Sequence, residues 1–332
     1  MHPAFSVIFL TTLIGAGQGL FLALFTVQSY ALVGLLPAGP GAGFFAVGGL
    51  VALVLLVAGL VASFFHLGRP ERAWRSAIQW RTSWLSREVI VLPVFMGVVA
   101  LFALLHALGW SPPLLTLPSG VVFDLSFLIG ALGTLLAFAL FVCTGMVYAC
   151  LRFLAEWHTP LTPLNYILLG GASGFTLAAA YAALVQPELV GFLSGWAIAL
   201  TLLAAFGRLA ALWRNGRLKP KSTLQSAIGV KHPRVAQKTQ GFMGASFNTR
   251  EFFHGASPRT LRLVKPAFLL LAFVLPLLLM AGGRDAAAAA AAPSAIPMIV
   301  AFGVQYLGLL AERWFFFAQA NHPQNLYYQS IA

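Results

Sequence analysis

The sequence predicts an all-α integral membrane protein, a bundle of eight transmembrane helices with both termini in the cytoplasm. Three observations carry that expectation. Of 332 residues, 60% are apolar and only 8% are charged, with a mean hydropathy of +0.87. The apolar residues fall in continuous runs of about 20, the length needed to cross hydrocarbon, without the alternation of a barrel strand. Clusters of helix-ending proline and glycine separate the runs, as in LLPAGPGAG, GWSPPLLTLPSG, HTPLTP and VQPE.

In order, the spans are expected at Ala4 to Leu36, Gly43 to Phe65, Trp84 to Leu108, Val121 to Leu151, Leu164 to Val185, Val190 to Leu212, Leu261 to Met280 and Pro293 to Phe317. The first opens MHPAFSVIFLTTLIG, which has no basic leader or small-residue cleavage site, so it reads as a span that stays. Charge sets the orientation. Five Arg follow span two, Arg152 follows span four, twelve Lys and Arg run from Arg208 to Lys265, and Arg313 ends span eight. One face thus carries nineteen of the twenty basic residues, which turns it to the cytoplasm of a bacterial inner membrane. The chain is read as one membrane domain, 1–332, with a long basic cytoplasmic loop at 213–260. Its net charge of +12 suits anionic headgroups and acidic protein surfaces, not nucleic acid. The alanine run 286–292 is expected to extend span eight and is given no function.

Several kinds of chemistry are disfavoured. Cys143 and Cys150 are seven residues apart on one helix, about 10 Å along its axis, too far for a disulfide. Two thiols do not make up the four that an iron-sulfur cluster takes. Of seven histidines only His106 lies within a span, so no facing pair of haem ligands is expected. The glycines of GAGQG, Gly15, Gly17 and Gly19, lack the strand and helix-opening context of a nucleotide loop; with Gly130, Gly133, Gly170, Gly171 and Gly174 they are read as close helix packing. The span interiors offer only Gln18, Gln28, Ser, Thr and Tyr, which weakens a secondary transporter, the alternative from another class.

Polar chemistry concentrates in FHLGRPERAWRSAIQWRTSWLSRE, residues 65–88. His66 closes span two and Glu88 lies about one turn into span three. Helix dipoles favour a cationic His at a C-terminus and a carboxylate near an N-terminus, while burial opposes both charges. Groups balanced in this way exchange protons, and a quinone gaining two electrons also takes up two protons. Arg81 or Arg87 would offset negative charge on the ring, and Trp74, Trp80 or Trp84 would line it. The plain alternative is that Arg and Trp anchor the bilayer surface and Glu88 is an ion-pair partner.

The segments FHLGRPERAWR and RTSWLSRE, with ERWFFFAQANHPQNLYY from Glu312 to Tyr328, resemble the membrane anchor subunits of the dimethyl sulfoxide reductase family of molybdoenzymes, over nearly the whole chain. The resemblance implies an anchor without haem or cluster of its own that exchanges electrons with menaquinone or ubiquinone. It further implies a four-cluster iron-sulfur partner and, through it, a molybdopterin catalytic subunit. The family's quinol motif puts a His at the end of span two and a Glu at the start of span three, where His66 and Glu88 stand. The expected quinone set is His66, Arg69, Trp74, Trp80, Arg81, Trp84, Arg87 and Glu88, with no metal ligands.

The best-known members hold their partners on the periplasmic face, whereas the charge count here turns the loops to the cytoplasm. In that respect the chain is similar to the branch that anchors cytoplasmic sulfite-oxidising enzymes, with electrons running from sulfite to quinone. A quinol-oxidising anchor of a dimethyl sulfoxide or related reductase is the alternative. Arg72 and Arg75, with Asn321, His322, Gln324, Asn325, Tyr327 and Tyr328 of the tail, are expected to dock the iron-sulfur subunit. The tail also fits a lid over the quinone mouth or an interfacial aromatic belt.

Overall fold

Among the described residues of the computed structural model, eight helices are long and apolar enough to cross a bilayer. The residues described are 1–36, 39–118, 120–219, 222–236, 238, 247–289 and 294–328. The spans are α1 (Phe5–Leu32), α2 (Ala42–Phe64), α3 (Trp84–Leu108), α4 (Leu125–Ala149), α5 (Leu161–Val185), α6 (Val190–Asn215), α7 and α8 (Ile296–Ala318). Helix α7 has three parts: Pro258–Leu269, a π turn at Leu270–Val274, and Leu275–Ala289.

Local chemistry sets the ends. Ser83, Asp124 and Ser257 cap α3, α4 and α7, each side chain accepting a backbone N–H from the first turn. Helix α3 stops at Gly109, in the left-handed region at φ 61°. Span four begins at Leu125, not Val121, because Val122–Asp124 pairs antiparallel with Pro113–Thr116. That small hairpin is the one departure from all-helical structure among the described residues. The alanine run continues α7 as far as Ala289, and α8 starts at Ile296; 290–293 lie outside the described residues, as do 220–221, 237 and 239–246 of the basic loop.

The helices form two groups of four. Around the first, α1 packs on α2, α2 on α3, α3 on α4 and α4 on α1; around the second, α5 packs on α6, α6 on α7, α7 on α8 and α8 on α5. The groups join where α5 lies against α1 and α4, and α8 against α1. Hydrophobicity alone does not drive this joining, since lipid is as apolar as leucine; close backbone approach does. Gly15 and Gly19 of α1 share one face, four residues apart, as do Gly170 and Gly174 of α5. A Cβ on Gly15 would lie 3.6 Å from Gly170 Cα, one on Gly19 would strike the Gly170 carbonyl, and one on Gly174 would strike the α1 backbone at Gly19.

A similar close approach ties α7 to α8. Pro276 has no N–H to offer Ala272, four residues back, and the π turn falls at this place. Gln305 Nε2 of α8 donates to Ala272 O at 3.4 Å, while the missing side chain of Gly308 lets α8 reach the backbone at Leu271 and Ala272. The outer faces are apolar and exposed, as at Val47, Leu50, Val54, Val57 and Val61 of α2, a stripe suited to lipid. The start of α1 and the end of α8 lie on one face: the Met1 amino group donates to Ala320 O at 2.7 Å.

Gly19→Ala and Gly174→Ala are expected to lower stability by about 2 kcal/mol or more by overpacking. Gly97→Ala, exposed and with open space around it, should leave the thermal midpoint of the detergent-solubilised protein unchanged. Equal midpoints for all three would remove the α1/α5 crossing as a determinant of the fold.

Candidate functional site

The 65–83 connection forms a short 3-10 helix, Pro70–Ala77, with no buried residue. Trp74 and Trp80 are 65% and 54% exposed, and Arg69, Arg72, Arg75 and Arg81 are exposed as well. Three arginines lie against neighbouring rings: Arg75 is 5.5 Å from the Trp74 ring centre, Arg81 5.5 Å from Trp80, and Arg87 4.3 Å from Trp84. Arg87 also donates to Trp80 O at 2.9 Å and Arg81 O at 2.8 Å. Its place is therefore that of a strap holding the connection to α3. His66 is exposed, although partial burial holds its pKa below the usual histidine range.

Glu88 lies elsewhere. It lines a narrow cleft among α1, α3, α4, α5 and α8. Thr144 Oγ1 donates to Glu88 Oε1 at 2.6 Å. The polar walls come from Thr11, Thr12 and Gln18 of α1, Tyr166 and Ser173 of α5, and Arg313 of α8; Ile14, Phe141, Leu169 and Leu309 supply apolar surface. Gly15 and Gly170 line it too, so the crossing of α1 with α5 forms part of the cleft. Of the eight residues expected to bind quinone, Glu88 alone lines this cleft, and His66 does not.

The depth follows from helix register. Counting from the ends on the face of the 65–83 connection, Glu88 is four residues in from Trp84 and Thr144 five from Ala149. Tyr166 is five residues from Leu161 and Glu312 six from Ala318. At 1.5 Å per residue the site lies about 6 to 9 Å inside the bundle.

Behind the cleft lies an ion cluster that contradicts the expectation of span interiors without charge. Glu312 is 0% exposed, Arg208 2% and Arg313 4%. Arg208 Nε is 2.6 Å from Glu312 Oε1, and Arg313 Nε 2.5 Å from Glu312 Oε2. Two arginines counted as loop charges are thus held inside the bundle. Reading them as helix ends missed that Arg208 sits seven residues before the end of α6 at Asn215. The available signal was a Glu-Arg pair ahead of an apolar run, in ERWFFF. Thr144, Tyr166 and Ser173 carried no sequence signal beyond polarity inside a span.

The tail spends much of its hydrogen bonding on the chain itself. His322 stacks on Phe252 at 3.6 Å between ring centres and accepts from Gln324 N. Asn325 donates to Phe252 O at 3.3 Å and Asn321 Oδ1 at 2.6 Å, Asn248 to the Tyr328 hydroxyl at 2.8 Å, and Tyr327 to Ala227 O at 3.2 Å. The same face is braced by Arg214, which donates to Ala155 O and His158 O. Among the described residues no group of His, Cys, Asp and Glu could hold a metal ion.

Glu312→Gln would leave two buried guanidinium groups without a carboxylate, a loss of about 3 to 5 kcal/mol. We expect a sharp fall in thermal midpoint and in folded yield. Glu71→Gln, at the exposed Arg72 pair 3.7 Å across, should change neither. A stable Glu312→Gln protein would contradict this account of the cluster.

A family model described as DMSO reductase anchor subunit (DmsC) matches residues 1–304. The chain is 58% identical over 332 residues, the whole of both chains, to a sulfite dehydrogenase subunit of Allochromatium vinosum. It is 32% identical over 173 residues to anaerobic dimethyl sulfoxide reductase chain YnfH of Escherichia coli K12, covering 48% of this chain and 56% of that one. With eight spanning helices and a family match that takes in α1 to α7, this multi-pass membrane protein belongs to the DMSO reductase anchor subunit (DmsC) family.

Proposed function

We propose that the chain is the quinone-reactive anchor of a molybdopterin and iron-sulfur complex, and that the quinone ring enters the cleft beside Glu88. The observation that carries this reading is the cleft itself: a carboxyl group hydrogen-bonded to Thr144 and facing a cleft inside the bundle. Reduction of a quinone takes two electrons and two protons and yields a quinol. Electrons come from an iron-sulfur cluster of the partner; protons must come through side chains, because hydrocarbon supplies none. A carboxyl group within reach of the ring is suited to that transfer. Ile14, Phe141, Leu169 and Leu309 suit the flat apolar body of the ring, and the threonines and Gln18 its oxygens.

His66 is assigned the outer part of the proton route, at the end of α2, where partial burial lowers its pKa and so favours the neutral imidazole, which can accept a proton. The exposed arginines and tryptophans of residues 69–81 are assigned to headgroups and to the partner, with Arg72 and Arg75 and the outer side chains of the tail as the docking face. Positive charge on this face supports placing it in the cytoplasm of a bacterial inner membrane. End-to-end identity of 58% to a protein named as part of a sulfite dehydrogenase supports sulfite as the donor. In that direction sulfite and water give sulfate, two electrons and two protons, and the electrons pass to menaquinone or ubiquinone.

In the complex purified with its partners, Glu88→Gln should assemble normally and slow sulfite-dependent reduction of decylubiquinone about 100-fold, while His66→Ala slows it about tenfold or less. Wild-type turnover in Glu88→Gln would refute the assignment. Turnover only with quinol and a sulfoxide would reverse the direction of flow.

A further inference from the structure

The ion cluster holds one more cation than its own neutrality needs. Arg208 alone matches Glu312, yet Arg313 is buried beside it, its guanidinium 4.3 Å from the Tyr166 ring centre and 4.8 Å from that of Phe316. Arg313 Nη1 has no acceptor within the chain, and the Tyr166 hydroxyl, which lies beside Arg313 and the Tyr148 hydroxyl as their acceptor, keeps a proton with no acceptor in the chain. Both residues line the cleft, whereas Arg208 does not. Unpartnered polar groups of this kind are costly to bury unless something else accepts from them.

The cleft has two chemically different poles. Glu88 with Thr144 comes from α3 and α4 and can exchange a proton. Arg313 with Tyr166 comes from α8 and α5; a guanidinium donates hydrogen bonds, keeps its charge, and delivers no proton. We infer that Arg313, seconded by Tyr166, binds the carbonyl oxygen of a para-quinone ring that lies away from Glu88. Its fixed charge stabilises the negative charge that arriving electrons place on that oxygen. Glu312 holds the guanidinium in position. This inference rests on the proposed quinone site and assigns its second pole.

The test uses the assembled complex and decylubiquinone. Arg313→Gln leaves Glu312 paired with Arg208, so the fold should hold while KM for decylubiquinone rises about 10- to 100-fold. Arg208→Gln removes the same charge from the cluster but no cleft residue, and its KM should stay within about twofold of wild type. Should Arg313→Gln not assemble, Arg313→Lys decides: it retains a cation beside Glu312 but lacks the planar fork, and KM should still rise several-fold. Equal KM changes in Arg313→Gln and Arg208→Gln, or a wild-type KM in either Arg313 variant, overturn the inference. If Glu88→Gln is slow at the same time, the quinone site stands without this pole; if it is normal too, the site itself is wrong.

Discussion

The crossing of α1 over α5 is the constraint on which the rest depends. Each group of four helices places its most buried span at this seam, and neither could come so near with any side chain larger than hydrogen at Gly19 or Gly174. Because Gly15 and Gly170 also line the cleft, the contact that joins the two halves shapes the site between them. The cleft lies where α3, α4 and α8 reach the seam, so residues from five helices meet around one small volume.

Inside that volume the protein handles charge in two ways. Glu312 is fixed by two guanidinium groups, each within ion-pair distance of its carboxylate, and removing that carboxylate would strand both arginines in a low dielectric. Glu88 has only a hydroxyl from Thr144 and faces open space. One carboxylate therefore belongs to the framework and the other is available for chemistry. The exposed arginines of residues 69–81 belong to neither group. Arg75 and Arg81 lie on tryptophan rings beyond the ends of α2 and α3, where a flat ring and a cation together suit headgroups and acidic protein surfaces.

The fold was largely legible in the sequence because bilayer thickness fixes helix length and proline and glycine mark the gaps. Boundaries slipped where local pairing overrode hydropathy, as in the hairpin that delays α4 to Leu125 and in the alanines that join α7. The site was legible only in part. Glu88 stands out because carboxylates are rare within spans. Arg208 and Arg313 were misassigned because a charge one or two turns from a helix end looks, in one dimension, like part of the loop. Thr144 and Tyr166 gain their meaning only when α4 and α5 are brought alongside α3. His66 and Glu88 are close in sequence and sit at adjoining helix ends, yet side-chain direction separates their surroundings: one is exposed and the other faces the cleft.

The central claim is that the quinone ring lies inside the bundle and not against the arginine-rich connection at its surface. Photolabelling of the purified complex with an azido-ubiquinone, followed by peptide mapping, tests this directly. The account predicts label on residues 10–18, 141–144 and 166–173, displaced by excess decylubiquinone. Label confined to residues 66–84, with those three segments clean, would contradict it.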